Sequence, residues 1–459
     1  MTTLRAWTFS AACVLAAGHA AAQETPPPPS PSPSPSPTPE ARPTGLPHGL
    51  DWTFNFDATW GNFGFANSLY TDPKPEEPSG NLSDNWFEGA AKPAITGTFT
   101  SAATWQLYGK LSVVGERTYG APPSIVGEDA SSFKVEDLHI GWRSGQSLGK
   151  LGENALEFVV GRVPYQLGHG MLVYDGAAEG GTRGGYWSNA RKAFEFAAIG
   201  RFKPGHHTVE AFYLDKDDLP EADTGSRLWG ANYEYAVGED TTLGATYMKW
   251  HADPTANPRR DGLDVYNVRA FTAPFPSLKA LSFELEYARE DNGARLDSYA
   301  WNALAAYEFD VSWKPKLSYR YAFFEGDDPA TRANEAFDGL FTGFHDWGSW
   351  WQGEIAGEYF VSNSNLVSHQ VRLHVAPRES LGTGLIFYKF LLDEPGALGP
   401  GVTARDVAFE ADWYVDWKVN ENFTVSFVGA FANPGRAVQQ AFDRTKNFAY
   451  GMIYVAYSY

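Results

Sequence analysis

The sequence predicts an all-β fold, a transmembrane antiparallel up-and-down β-barrel of about eighteen strands. Segments in which apolar and polar residues strictly alternate recur from Asp51 onward, and a period of two is typical of strands with two unlike faces. After the N-terminus there is no apolar run of about 18 residues, the length that a membrane-spanning helix needs. With 16 Trp, 23 Tyr and 46 Gly but only four Met, the composition suits a large strand-rich chain.

The N-terminal region is predicted to direct export and then to act as a tether. Residues 1–22 combine the positive charge of Arg5, a short apolar stretch and small residues before the expected cleavage point, as in a signal peptide. Residues 23–48 are rich in Pro and Ser and are predicted to form an extended periplasmic linker. The barrel is expected over residues 49–459, in the outer membrane of a Gram-negative bacterium, with the lipid bilayer as its main partner.

The alternation is clearest in residues 406–417. The apolar residues of this segment are Val407, Phe409, Ala411, Trp413, Val415 and Trp417. The acidic residues that alternate with them are Asp406, Glu410, Asp412 and Asp416. In a membrane barrel the apolar face contacts lipid and the polar face lines a wet lumen. Because a carboxylate in lipid is costly, the register cannot shift by one residue.

Connection lengths decide the strand count. A first count gives about nineteen candidate strands, but single-chain bacterial barrels have an even number, with short periplasmic turns and longer outer loops. Assigning residues 349–360 to one large outer loop, 326–365, makes short and long connections alternate from both ends. Both termini are then periplasmic, and the barrel is wide enough for an aqueous channel. The chain ends on Tyr459 within an alternating strand, a pattern typical of proteins that the outer-membrane assembly machinery recognises.

A channel selects solutes through charge and hydrogen bonding, so no catalytic residue and no cofactor is expected. Strand phase places these basic residues in the lumen: Arg201, Arg269, Lys316, Arg320 and Arg372. It places these acidic residues opposite them: Glu195, Glu284, Glu286, Glu410, Asp412 and Asp416. Guanidinium groups suit carboxylates and phosphates, which predicts anion selectivity. The alternative is a salt-bridged ladder that only stiffens the wall.

The glycine-rich loop 168–192 is predicted to fold inward and narrow the channel. Its candidate constriction residues are Tyr174, Arg183, Tyr186, Trp187 and Arg191. Aromatic and guanidinium groups together would suit a sugar acid moving past them. An ordinary exposed loop is the alternative.

Other chemistries receive less support. The net charge of -19 argues against nucleic acid as a partner. The acidic loop 214–223 is predicted to be solvated, with calcium binding as the alternative. The histidines show no zinc spacing, and no Gly-x-Ser-x-Gly stretch indicates a hydrolase in the barrel wall.

Residues 295–348 resemble the alginate-export family of outer-membrane barrels. The likeness lies in a Pro-x-Leu strand start, an acidic Gly-Asp loop and a Phe-Asp-x-Leu-Phe segment followed by His. Residues 408–435 and 159–173 resemble further parts of this family, and Arg162 stands at its Gly-Arg position, which adds Arg162 to the lumen set. The resemblance implies an eighteen-strand barrel that passes an anionic polysaccharide or another anionic solute through an Arg- and Lys-lined lumen.

Two other functions fit the same fold. One is a general or small-solute porin, and the other is a surface-binding barrel closed by its own loops. The resemblance favours the channel for an anionic carbohydrate.

Overall fold

The computed structural model describes residues 49–69, 83–123, 129–174, 176–275, 277–343 and 352–459. Within them the chain forms one closed antiparallel sheet of eighteen strands. The predicted signal peptide and linker, residues 1–48, lie outside the described residues. No helix among the described residues is long and apolar enough to span a membrane.

The strands follow one another around the barrel in chain order. They are β1 Gly49–Ala66, β2 Ser83–Thr100, β3 Gln106–Tyr119, β4 Ala130–Arg143, β5 Leu156–Arg162, β6 Phe196–Phe202, β7 His207–Asp215, β8 Arg227–Val237, β9 Thr241–His251, β10 Asp264–Thr272, β11 Leu281–Asp291, β12 Asp297–Glu308, β13 Lys316–Phe324, β14 Leu366–Arg378, β15 Leu381–Leu391, β16 Asp406–Lys418, β17 Phe423–Pro434 and β18 Phe448–Ser458. Two short helical segments lie between strands, α1 (Gly353–Gly357, a π-helical turn) and α2 (Arg436–Phe442).

The first and last strands close the barrel. β1 pairs with β18 in an antiparallel register that sets Trp60 opposite Val455, and every other strand pairs with its neighbours in sequence. Closure leaves no strand edge unpaired. A sheet in lipid must be closed in this way, because no water is present to bind unpaired backbone groups. The predicted all-β, eighteen-strand, up-and-down barrel is therefore confirmed.

The even strand count agrees with the assignment of residues 349–360 to a loop and not to a strand. Residues 352–360 contain α1 and no strand, so this part of the predicted outer loop 326–365 does not cross the membrane. The rest of that loop includes residues 344–351, which lie outside the described residues. One boundary differs from the prediction, because β2 begins at Ser83, whereas the preceding loop was expected to extend to residue 91.

The two faces of β16 follow the predicted alternation over most of its length. Phe409, Trp413 and Trp417 are exposed on the outer surface, whereas Glu410 and Asp412 are buried on the inner one. Hydrocarbon contacts the outer side chains in the membrane, so their exposure carries no hydrophobic penalty there.

The start of β16 departs from the prediction because of a β-bulge. Register shifts between Phe390 and Leu391 of β15, which places Asp406 opposite Leu391 on the outer face. There its carboxylate pairs with Lys389 instead of facing the lumen. Val407, which was expected to contact lipid, is fully buried.

An arginine on the outer face should destabilise the barrel. Leu285 lies near the middle of β11 and is 53% exposed toward lipid. We expect Leu285→Arg to lower the free energy of unfolding by about 2–4 kcal/mol, the cost of a lipid-facing cation near the bilayer midplane. Urea titration of the barrel folded in vesicles measures this, with the inner-face variant Thr242→Arg as control. Equal losses in the two variants would contradict the assignment of the faces.

Candidate channel lumen

The connection between β5 and β6, residues 163–195, folds into the barrel and is called inner loop A. Glu88 on β2 accepts hydrogen bonds from the backbone N–H groups of Trp187 (3.0 Å) and Ser188 (2.7 Å). Glu136 on β4 accepts those of Lys192 (2.6 Å) and Ala193 (2.8 Å). Carboxylates of the inner wall therefore hold this loop by its backbone.

Apolar packing supports the same docking. The indole of Trp187 is buried between Phe63 of β1 (ring centroids 5.3 Å apart) and Tyr454 of β18 (4.8 Å). Burial of a Trp side chain in this way stabilises a contact by a few kcal/mol. Trp187 is thus an anchor of loop A, whereas Tyr174 and Tyr186 remain half-buried.

An ion-pair cluster ties loop A to the connection between β7 and β8. Asp217 accepts hydrogen bonds from the guanidinium groups of Arg162, Arg183 and Arg191. Burial opposes ionisation, but Arg191, Arg162 and Arg183 hold the pKa of Asp217 below its usual range. Arg183 and Arg191 are buried, so the structure places these two inside loop A and not at a channel surface.

The connection between β13 and β14, residues 325–365, is called inner loop B, and the part of it that the structure describes docks on β16. Glu410 accepts hydrogen bonds from the backbone N–H groups of Ile355 (2.8 Å) and Ala356 (2.7 Å). Asp412 accepts that of Glu354 (3.2 Å). The acidic face of β16 therefore binds protein backbone at these two positions, where the sequence predicted contact with water.

The two inner loops also contact each other. The backbone of Val173 in loop A forms a parallel bridge with Phe341 of loop B. The indole N–H of Trp187 donates to the carboxylate of Glu354 over 3.4 Å. The described parts of both loops therefore lie inside the barrel as one packed layer, which narrows the space that the wall encloses.

Three of the predicted lumen arginines pair with acids of the inner wall. Arg201 lies between Glu157 and Glu210, Arg269 contacts Glu234 at 2.6 Å, and Arg320 contacts Glu284 at 3.3 Å. This part of the wall has the geometry of the salt-bridged ladder.

The other predicted lumen residues have different partners. Arg372 donates to the hydroxyl of Tyr414 at 2.9 Å, and Glu286 accepts from the side-chain amide of Asn267 at 3.0 Å. Asp416 accepts from the hydroxyl of Ser426 at 2.7 Å. Glu195, which was expected on a strand, lies just before β6 and is exposed.

A second group of cations lines the wall at β2–β4. Lys92 donates to the backbone carbonyl of Ala190 (3.4 Å), Lys110 pairs with Asp137 (2.8 Å), and Arg143 donates to the side-chain carbonyl of Gln106. Sequence reasoning missed these three. For Lys110 the sequence does carry a signal, because this residue alternates with the apolar Leu107 and Leu111 as the lumen residues of other strands alternate with theirs.

The described part of the chain offers no metal centre. No group of three or more His, Cys, Asp or Glu side chains in it is arranged to hold an ion. In the acidic loop 214–223, for which calcium was the alternative, Asp217 is occupied by arginines.

Sequence comparison identifies the family. The family model described as "Alginate export" matches residues 123–452. The chain belongs to the alginate export family. This is a family of channel barrels and not of enzymes, so the protein is an outer-membrane channel for solutes. No curated protein sequence matches the chain at a significant level.

Solved structures share the fold at low sequence identity. Pseudomonas aeruginosa OccK8 (OprE) aligns with a TM-score of 0.55 and 12% identity, over 89% of this chain and 98% of that chain. Acinetobacter baumannii OccAB2 aligns with a TM-score of 0.56 and 14% identity, over 89% and 98% of the two chains. These similarities support the outer-membrane β-barrel architecture of this family member.

Proposed function

We propose that this outer-membrane channel passes small anionic solutes, of the size of a sugar acid or a short acidic oligosaccharide. The observation that carries the proposal is a set of inner-wall cations that have no carboxylate within ion-pair distance among the described residues. Acids of the wall, in contrast, are held by loop backbone, by basic side chains or by neutral donors such as Asn267 and Ser426.

The unmatched cations lie on two parts of the wall. Lys92 and Arg143 on β2 and β4 have neutral hydrogen-bond partners among the described residues. On β13, Lys316 is exposed and forms no ion pair with the described residues. In contrast, Glu157, Glu210 and Glu284 each share an arginine. Fixed charge in a low-dielectric passage concentrates ions of the opposite sign, so anions are favoured.

The docked loops support a small solute. Loops A and B occupy the inside of the barrel and pack on its wall through Trp187, Ile355 and Ala356. A lumen of eighteen strands is wide without such loops. With them, the passage suits a single carboxylated ring or a short chain of rings better than a bulky branched polymer.

Reversal potentials in planar bilayers test the anion preference. Under a KCl gradient, we expect the wild type to favour chloride over potassium by roughly two- to threefold. The double variant Lys92→Gln, Lys316→Gln should move the ratio toward unity. Lys279→Gln is the matched control, because Lys279 lies in the turn between β10 and β11 and pairs with Asp240 in the turn between β8 and β9. A wild type without ion preference would support a general porin instead.

Solute competition tests the size and chemistry of the cargo. Added glucuronate should reduce the chloride current through the wild type, and neutral glucose at the same concentration should reduce it far less. Equal reduction by the two sugars would contradict a preference for sugar acids.

A further inference from the structure

We infer that His169, contributed by loop A, is a specificity-determining residue that binds the carboxylate of the passing solute. The inference rests on the proposed function and adds a residue that strand phase does not reveal, since His169 lies in a loop. Its geometry, its exposure and the charges around it all point to this role.

The imidazole of His169 is held rigidly against the barrel wall. It stacks face to face on Phe271 of β10, with the ring centroids 3.9 Å apart and the planes only 6° from parallel. The preceding Gly168 has a φ of +55°, and a Cβ there would lie 3.0 Å from Cδ of Arg269. A glycine is therefore needed for the turn that presents His169 to the wall.

The two ring nitrogens have different surroundings. Nδ1 is buried, and it lies 3.5 Å from a carboxylate oxygen of Glu284. An unprotonated Nδ1 would direct a lone pair at that carboxylate, so we assign a proton to Nδ1. The side chain is 31% exposed while Nδ1 faces the wall, so Nε2 is the edge that reaches channel water.

The charged groups of the wall around this ring come from four strands. They are Glu284 and Glu286 of β11, Arg269 of β10, and Lys316 and Arg320 of β13, with Glu234 of β8 paired to Arg269. Glu284 already accepts from Arg320, and Glu286 from Asn267. A proton on Nε2 therefore adds a positive charge that the neighbouring acids do not neutralise.

This arrangement suits a carboxylate of the solute. In the imidazolium form both ring nitrogens donate, so Nδ1 stays directed at Glu284 while Nε2–H donates to the passing anion. The exposed edge of His169 is therefore expected to favour a carboxylate at this point of the passage.

The test measures how strongly added glucuronate lowers the chloride current at one fixed pH, with neutral glucose as the control solute. The block should weaken by roughly twofold in His169→Gln, because the amide carries no positive charge. His169→Lys, which supplies a positive charge at the same position, should retain the block.

The outcomes separate this inference from the proposed function. A His169→Gln channel that glucuronate blocks as strongly as it blocks the wild type would overturn the role of His169. A wild type that shows no preference for chloride over potassium, but whose block by glucuronate weakens in His169→Gln, would contradict the proposed function and support the role of His169. Heat-dependent migration on gels establishes that each variant is folded.

Discussion

A Glu410→Ala channel is expected to conduct more than the wild type, by roughly twofold or more, because loop B loses the carboxylate that binds its backbone. Glu410 is completely buried and binds two successive backbone N–H groups, those of Ile355 and Ala356. Alanine leaves both donors without a partner, and each buried unsatisfied group costs about 1–3 kcal/mol. A loop that loses this much stabilisation should leave the wall for part of the time.

Single-channel recording measures this effect. The Glu410→Ala channel should show larger conductance and frequent steps between levels, which the wild type should not show. Asp416→Ala is the matched control, since Asp416 lies on the same face of β16 but contacts Ser426 of β17. Identical conductance in the wild type and in Glu410→Ala would show that loop B does not narrow the channel.

Conductance is also expected to rise with pH, from a low level near pH 6 to a high level near pH 9, by roughly twofold. Burial and the neighbouring Asp412 raise the pKa of Glu354 in loop B from 4.5 to about 8. The titratable groups that surround this carboxyl are Asp412 and Asp416 of β16, Glu410 of the same strand, Tyr450 of β18, and Glu358 of loop B.

The direction follows from the raised pKa. A carboxyl whose pKa is higher in the docked loop than in the released one favours docking when it is protonated. This contribution is fully present below about pH 4.5 and is lost as the pH rises through about 8. Deprotonated Glu354 then repels Asp412, and loop B is released.

Glu354→Gln isolates the group responsible. Glutamine can still accept the indole N–H of Trp187, but it does not titrate. The conductance of the Glu354→Gln channel should stay low across the whole pH range. If the Gln variant responds to pH as the wild type does, another group is responsible for the change.

The barrel itself could be predicted from the sequence because the membrane imposes a simple rule. Lipid on one side and water on the other force an alternation that is visible in segments such as 281–288, and closure then limits the strand count. The rule fails where the backbone departs from regular pairing. The bulge near Val407 turns the side chain of Asp406 to the outer face, and nothing in the pattern of apolar and polar residues indicates this bulge.

The candidate site was harder to predict for a different reason. Glu410 and Glu88 lie on the inner face of their strands, but their partners are backbone N–H groups far along the chain, those of Ile355 for Glu410 and Ser188 for Glu88. Backbone donors are the same in every residue, so the sequence does not identify which loop segment will dock. His169 was missed because its role depends on the same docking.

The size of polymer that enters the channel tests most directly whether docked loops narrow this barrel. Polyethylene glycols of increasing size are added, and the largest one that still lowers conductance is recorded for each channel. We expect a low size cut-off for the wild type and a clearly higher one for the double variant Glu88→Ala, Glu410→Ala. This variant lacks the carboxylates that bind the backbone of loops A and B. The same cut-off in both channels would contradict the account.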